Sequence, residues 1–104
     1  MKRSASALPG LAWLLILGAS HAAIAADVFK GADLYRLHCA GCHGANGRPV
    51  LAVAPDFSRP TALLKPDLAL LATIRSGRGA MPGYQGQLRD REMLDIVAHL
   101  RTIR

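Results

Sequence analysis

Cys39-Ala40-Gly41-Cys42-His43 is the stretch on which the reading of this chain turns. Two cysteines three apart, followed at once by histidine, are the attachment signature of a c-type haem. On a helical turn the two thiols share a side, so each can add to one vinyl group of a porphyrin while the adjacent imidazole reaches the iron. Cys39 and Cys42 thus supply two thioethers and His43 one axial ligand. A redox dithiol would favour a βαβ pattern around it, and a zinc site would need two further Cys or His at ligand spacing. Neither is present.

Toward the N-terminus the composition changes. Lys2 and Arg3 form a basic start, Leu11 to Leu17 an apolar run, and Ala23-Ile24-Ala25 a small-residue cleavage site. That order predicts a secretory signal peptide over residues 1–25 and a single domain over 26–104, with Ala26 as the other candidate for the last residue removed. The competing reading is an uncleaved anchor, because residues 8–26 are nearly long enough to cross a bilayer, but Gly18, Ser20 and His21 interrupt the run. Membrane attachment is expected only if this segment stays. Export to the periplasm and the haem motif support each other, since haem is attached to such motifs outside the bacterial cytoplasm.

Removal of 25 of the 104 residues leaves 79, a domain with a thin core. The two cysteines are the only ones, so no disulfide remains to brace it and a buried porphyrin must do so. The net charge of +6 includes Lys2 and Arg3; without them eleven basic side chains face seven acidic ones, leaving +4. There is no Lys-rich run and no aromatic ladder, which excludes nucleic acid and points to a redox protein partner with an acidic docking patch. Arg48, Arg59, Arg75 and Arg78 are the candidates to steer it, and the chain itself is expected to be a monomer.

Asp27 can cap a helix from about Val28 into the haem motif, with Gly31, Leu34, Tyr35 and His38 at helical spacing. A glycine inside a helix costs about 1 kcal/mol relative to Ala, so Gly31 implies close approach by another helix. Residues 44–55 read as a loop around the haem edge. Lys65-Pro66-Asp67 opens a second helix with Leu68, Leu71 and Ile74 along it, and Gly77 ends it. The run Gly77-Arg78-Gly79-Ala80-Met81-Pro82-Gly83-Tyr84 cannot be helix or strand interior, so Met81 has no core stripe to belong to. Its thioether is the soft sixth ligand that a Met/His haem needs. Met93 sits in the pattern Met93, Ile96, Val97, Leu100 of a last helix from about Asp90 to Thr102 and reads as core.

Taken together, these residues resemble the class I monohaem cytochromes c over essentially the whole exported chain. The match runs through Gly31 and Tyr35, Cys39 to His43, Ala54-Pro55-Asp56-Phe57, Met81-Pro82 and Ile96-Val97-Ala98-His99-Leu100. The resemblance implies an all-α fold of three to four helices and loops wrapped around one covalent haem c. It also implies that the Pro55 carbonyl accepts a hydrogen bond from His43 Nδ1, and that the first and last helices cross at Gly31. His99 stands where the family usually has an aromatic, and Arg89 where it usually has a Ser or Thr cap. The short chain and its Gly-Ala-Met-Pro-Gly-Tyr loop also look like the small periplasmic cytochromes that accompany haem-cd type nitrite reductase.

The implied role is an electron carrier, not an enzyme, with iron ligated by His43 and Met81. The alternatives are a haem protein that binds a small ligand after Met81 leaves the iron, and a maturation partner of a nitrite reductase. Gly77, Gly79 and Gly83 favour the first alternative if they make the loop mobile.

Overall fold

The computed structural model describes residues 25–104 together with Gly10 and Gly18, so the signal peptide expected over residues 1–25 lies almost wholly outside the described residues. Four helices follow in order: α1 Val28–His38, α2 Ala40–His43, α3 Asp67–Ser76 and α4 Asp90–Leu100. A 3₁₀ turn, Pro60–Leu63, precedes α3 and was not legible in the sequence pattern. Among the described residues no helix is long and apolar enough to cross a membrane.

Helix α1 starts where the sequence places it. Asp27 Oδ1 accepts from the backbone N–H groups of Phe29 and Lys30, both at 3.0 Å, satisfying two donors that have no partner inside the helix. The helix breaks at Cys39, whose backbone departs to φ −117°, so the haem motif occupies its own short helix instead of the end of a continuous one. Helix α4 begins at Asp90 behind Arg89, whose N–H donates to Glu92 Oε1 at 3.1 Å. The missing Ser or Thr cap is thereby half replaced, by the reach-back arm of a capping box.

The core lies between α1, α3 and α4. Tyr35, Leu71, Ile74, Met93, Ile96, Val97 and Leu100 are buried together, and Met93 at 1 % exposure is the core residue its helical spacing indicated. Leu68 is a correction: at 72 % exposure it lies outside the core, because α3 turns Leu71 and Ile74 inward. Gly31 meets α4 as expected. A Cβ there would lie 1.9 Å from the Asp95 carbonyl oxygen, so the two helices touch backbone to backbone.

Two arginines fasten α3 to α4. Arg75 pairs with Asp90, and Arg101 donates to the Leu63 and Lys65 carbonyls and to Asp67 Oδ1. Both pairs are partly exposed, so each contributes little through charge alone. Arg101 matters more for closing carbonyls of the segment that leads into α3.

Candidate haem site

Cys39 and Cys42 are free thiols, Cys39 half-buried at the α1–α2 break and Cys42 exposed within α2. Burial, reinforced by the neighbouring Cys42, pushes the Cys39 thiol up to about 11. The His43 ring is buried and stacks on Phe57, with centroids 4.6 Å apart and 19° between planes. Desolvation lowers its pKa, which favours the neutral imidazole that a metal ligand must be.

The backbone around the motif is closed tightly. The Cys39 carbonyl accepts from His43 at 2.9 Å, and the Cys42 carbonyl accepts from Val50 and Leu51 at 2.9 and 3.0 Å. The only two tyrosines bind the carbonyls that flank the motif. Tyr35 donates its hydroxyl to the Gly44 carbonyl at 2.6 Å, and Tyr84 donates to the His38 carbonyl at 2.9 Å.

Met81 is half-buried and packs against the core, in a loop with fixed geometry. Arg78 and Met81 exchange two backbone hydrogen bonds, at 3.0 and 2.9 Å. The loop is then pinned to the end of α3 by Tyr84 N–H on the Ile74 carbonyl at 2.9 Å and Gln85 N–H on the Arg75 carbonyl at 3.1 Å. Gly77 makes the turn possible: its φ is +75°, and a Cβ there would meet the Met81 carbonyl oxygen at 2.5 Å.

Pro55 lies twelve residues beyond His43 in the loop after the motif. It is exposed, and among the described residues the buried Nδ1 of His43 makes no hydrogen bond to its carbonyl or to any other group. In this structure it is the stack on Phe57 that orients the imidazole. The signal for Phe57 was in the sequence, two residues beyond Pro55, but nothing about an isolated aromatic in a loop assigns it to the histidine.

These residues fit a covalent haem. A buried imidazole whose Nδ1 is unpartnered among the described residues follows two free thiols in the chain, and large apolar side chains near them in sequence stay exposed. Leu37 is 75 %, Val50 73 % and Val53 79 % exposed, all within about a dozen residues of the motif. Apolar surface of that kind is what a porphyrin covers. Among the described residues no group of three or more His, Cys, Asp or Glu is placed to hold a metal ion.

The four arginines expected at the haem edge divide into two pairs. Arg59 and Arg75 are engaged by Asp56 and Asp90, whereas Arg48 and Arg78 have no salt bridge among the described residues. His99 packs its ring 5.1 Å from that of Tyr35 and is half-buried, as a packing residue would be. Sequence reasoning missed Asp95, which is buried in α4 although a carboxylate is the least expected side chain there.

Comparison with known proteins agrees with this geometry. Residues 26–100 match the family described as cytochrome C oxidase, cbb3-type, subunit III. The chain is 33 % identical over 100 residues to cytochrome c6 of Synechocystis sp., covering 90 % of this chain and 81 % of that one. It is 28 % identical over 103 residues to cytochrome c6 of Thermosynechococcus vestitus, covering 96 % and 91 %. Among solved structures, cytochrome c6 from the diatom Phaeodactylum tricornutum superposes with a TM-score of 0.62 at 26 % identity, over 71 % of this chain and 90 % of that one.

Proposed function

We propose, for a chain that belongs to the cbb3-type subunit III family of haem c proteins and is similar to cytochrome c6, that it carries single electrons between redox proteins with both axial positions of its iron filled. It is an electron carrier and not an enzyme. When bound, the haem supplies an iron that alternates between ferrous and ferric states. Cys39 and Cys42 hold it through thioethers, and His43 presents a neutral imidazole. Met81 provides the sixth ligand, a soft thioether that favours the ferrous state and raises the potential. The Pro55 carbonyl is the proposed acceptor for His43 Nδ1–H in the loaded protein, where it would hold the ring and strengthen it as a donor.

The observation that carries this reading is the anchoring of the Met81 loop. It is bonded to itself, to the end of α3 and, through Tyr84, to the residue before Cys39. A loop held at these points supports a permanently filled position over one that opens for small ligands. The glycines on which the ligand-binding alternative rested include Gly77, which serves to close the turn.

The finer assignments follow from the sequence. The predicted leader supports a periplasmic carrier, and Arg48 and Arg78, the two cations of the set without a salt bridge among the described residues, are the proposed contacts for an acidic patch on a redox partner. Nitrite reduction is the proposed destination of the electrons, on the strength of the short chain and the Gly-Ala-Met-Pro-Gly-Tyr loop.

Visible and near-infrared spectra of the oxidised protein test the reading. The wild type and Met93→Leu should both show the weak sulfur-to-iron charge-transfer band, and Met81→Ala should lose it and gain affinity for exogenous ligands. Wild-type protein without the band, binding carbon monoxide or nitric oxide readily, would overturn the carrier assignment.

A further inference from the structure

Asp95 takes no part in the haem site, yet it is among the most buried side chains in the molecule, at 1 % exposure. Its Oδ1 accepts a 2.7 Å hydrogen bond from the backbone N–H of Asp27, and its Oδ2 is buried with no hydrogen-bond partner among the described residues. A buried carboxylate held by one neutral donor is costly, and the remedies are further donors or an opposite charge. The donor it does have belongs to Asp27, which lies beyond the predicted 1–25 leader and becomes the first residue if Ala26 is the last one removed. Ala25 and Ala26 are exposed, and with Asp95 they line a surface cavity of about 200 Å³.

We propose that the leader is removed after Ala26, one residue beyond the cut favoured by Ala23-Ile24-Ala25, and that the α-ammonium released on Asp27 forms a buried ion pair with Asp95. A leader peptidase would hydrolyse the Ala26–Asp27 peptide bond, consuming one water and leaving a carboxylate on Ala26 and an ammonium on Asp27. The nitrogen already lies at bonding distance from Oδ1. As an amide it has one proton to donate, so Oδ2 stays unpaired. As an ammonium it has three, enough for both oxygens, and carries the compensating charge.

A positive charge at the N-terminus of α1 opposes the helix dipole, but here two carboxylates face it, Asp95 and the capping Asp27 itself. A cut after Ala25 would instead put the ammonium on exposed Ala26 and leave Asp27 a one-donor amide. Arg91 and Asp67 are the other charged groups at the cavity. Arg91 leaves Oδ2 unpartnered, and Asp67 is engaged by Arg101.

The test uses holoprotein exported by a bacterium from the full-length gene. Intact mass and N-terminal sequencing should give Asp27 as the first residue; a chain starting at Ala26, or one retaining its leader, overturns the proposal. Pulse acylation of the folded holoprotein across a pH series then reads the pairing. The α-amine should react roughly tenfold more slowly than in the denatured chain at the same pH, the effect of a one-unit rise in its pKa. Asp95→Asn should bring the rate back to within about twofold while leaving the haem spectrum unchanged. Equal rates in folded and denatured wild type would refute the ion pair, and that comparison needs no variant to fold.

Discussion

Gly31→Ala is the substitution for which the structure gives the sharpest expectation. The added Cβ would lie 1.9 Å from the Asp95 carbonyl oxygen and 2.4 Å from its carbonyl carbon. Both are backbone atoms of α4, so no rotamer change relieves the clash. To restore an ordinary contact of 3.4 Å the helices must part by about 1.5 Å. Overpacking costs about 1–3 kcal/mol, and a rigid obstacle belongs at the upper end of that range. Separation on this scale also forfeits much of the dispersion attraction between the rings of Tyr35 and the α4 residue His99, whose centroids lie 5.1 Å apart. Alanine returns about 1 kcal/mol of helix propensity, leaving a net loss of about 2 kcal/mol. With a urea slope of about 2 kcal/mol per M, the unfolding midpoint of the holoprotein should fall by roughly 1 M. A Gly31→Ala midpoint equal to or above wild type would refute the close-crossing argument.

Other expectations are independent of this one. Replacing both Cys39 and Cys42 with Ala should abolish haem staining after denaturing electrophoresis, and retained stain would end the covalent-haem reading. Tyr35→Phe strands the buried Gly44 carbonyl and should cost about 1–3 kcal/mol in denaturant, more than Tyr84→Phe, whose bond is exposed. Tyr84→Phe should instead weaken the charge-transfer band by loosening the Met81 loop. Burial lowers the pKa of His99, so the unfolded chain takes up its proton first. Stability should therefore fall as pH drops from about 6.5 toward that lowered value, and His99→Phe should flatten this part of the denaturation profile. Electron transfer to an acidic partner should slow as salt rises, measured by stopped flow at two ionic strengths; acceleration would reverse the sign of the partner patch.

Much of the fold was legible because its determinants are local. Asp27, Pro66 and Gly77 mark helix ends by chemistry that acts within one turn, and the Met93, Ile96, Val97, Leu100 stripe follows from helical period. What was not legible depends on partners distant in sequence. Leu68 fits the α3 stripe as well as Leu71 does, and only the tertiary arrangement leaves it exposed. Asp95 interrupts an apolar stripe without explanation until Asp27, 68 positions earlier, is seen to donate to it. Phe57 is an unremarkable loop aromatic until it lies against His43.

The break between α1 and α2 joins these separate observations. Ending one helix at His38 and another at His43 leaves carbonyls that no helical N–H can reach, in a part of the chain that must stay rigid for two thiols and an imidazole to address one ring. The Gly44 carbonyl is closed by Tyr35 from within α1, and the His38 carbonyl by Tyr84 from the loop that carries Met81. Each clamp therefore satisfies a stray acceptor and fixes the position of a segment carrying a proposed ligand. The first ties the segment after His43 to the α1–α4 core, and the second ties the Met81 loop to the segment before Cys39. An electron carrier benefits from ligands that move little between oxidation states, because reorganisation slows transfer. The two tyrosines hold both proposed ligand segments to α1 without requiring a large hydrophobic core, which a chain of this length cannot build.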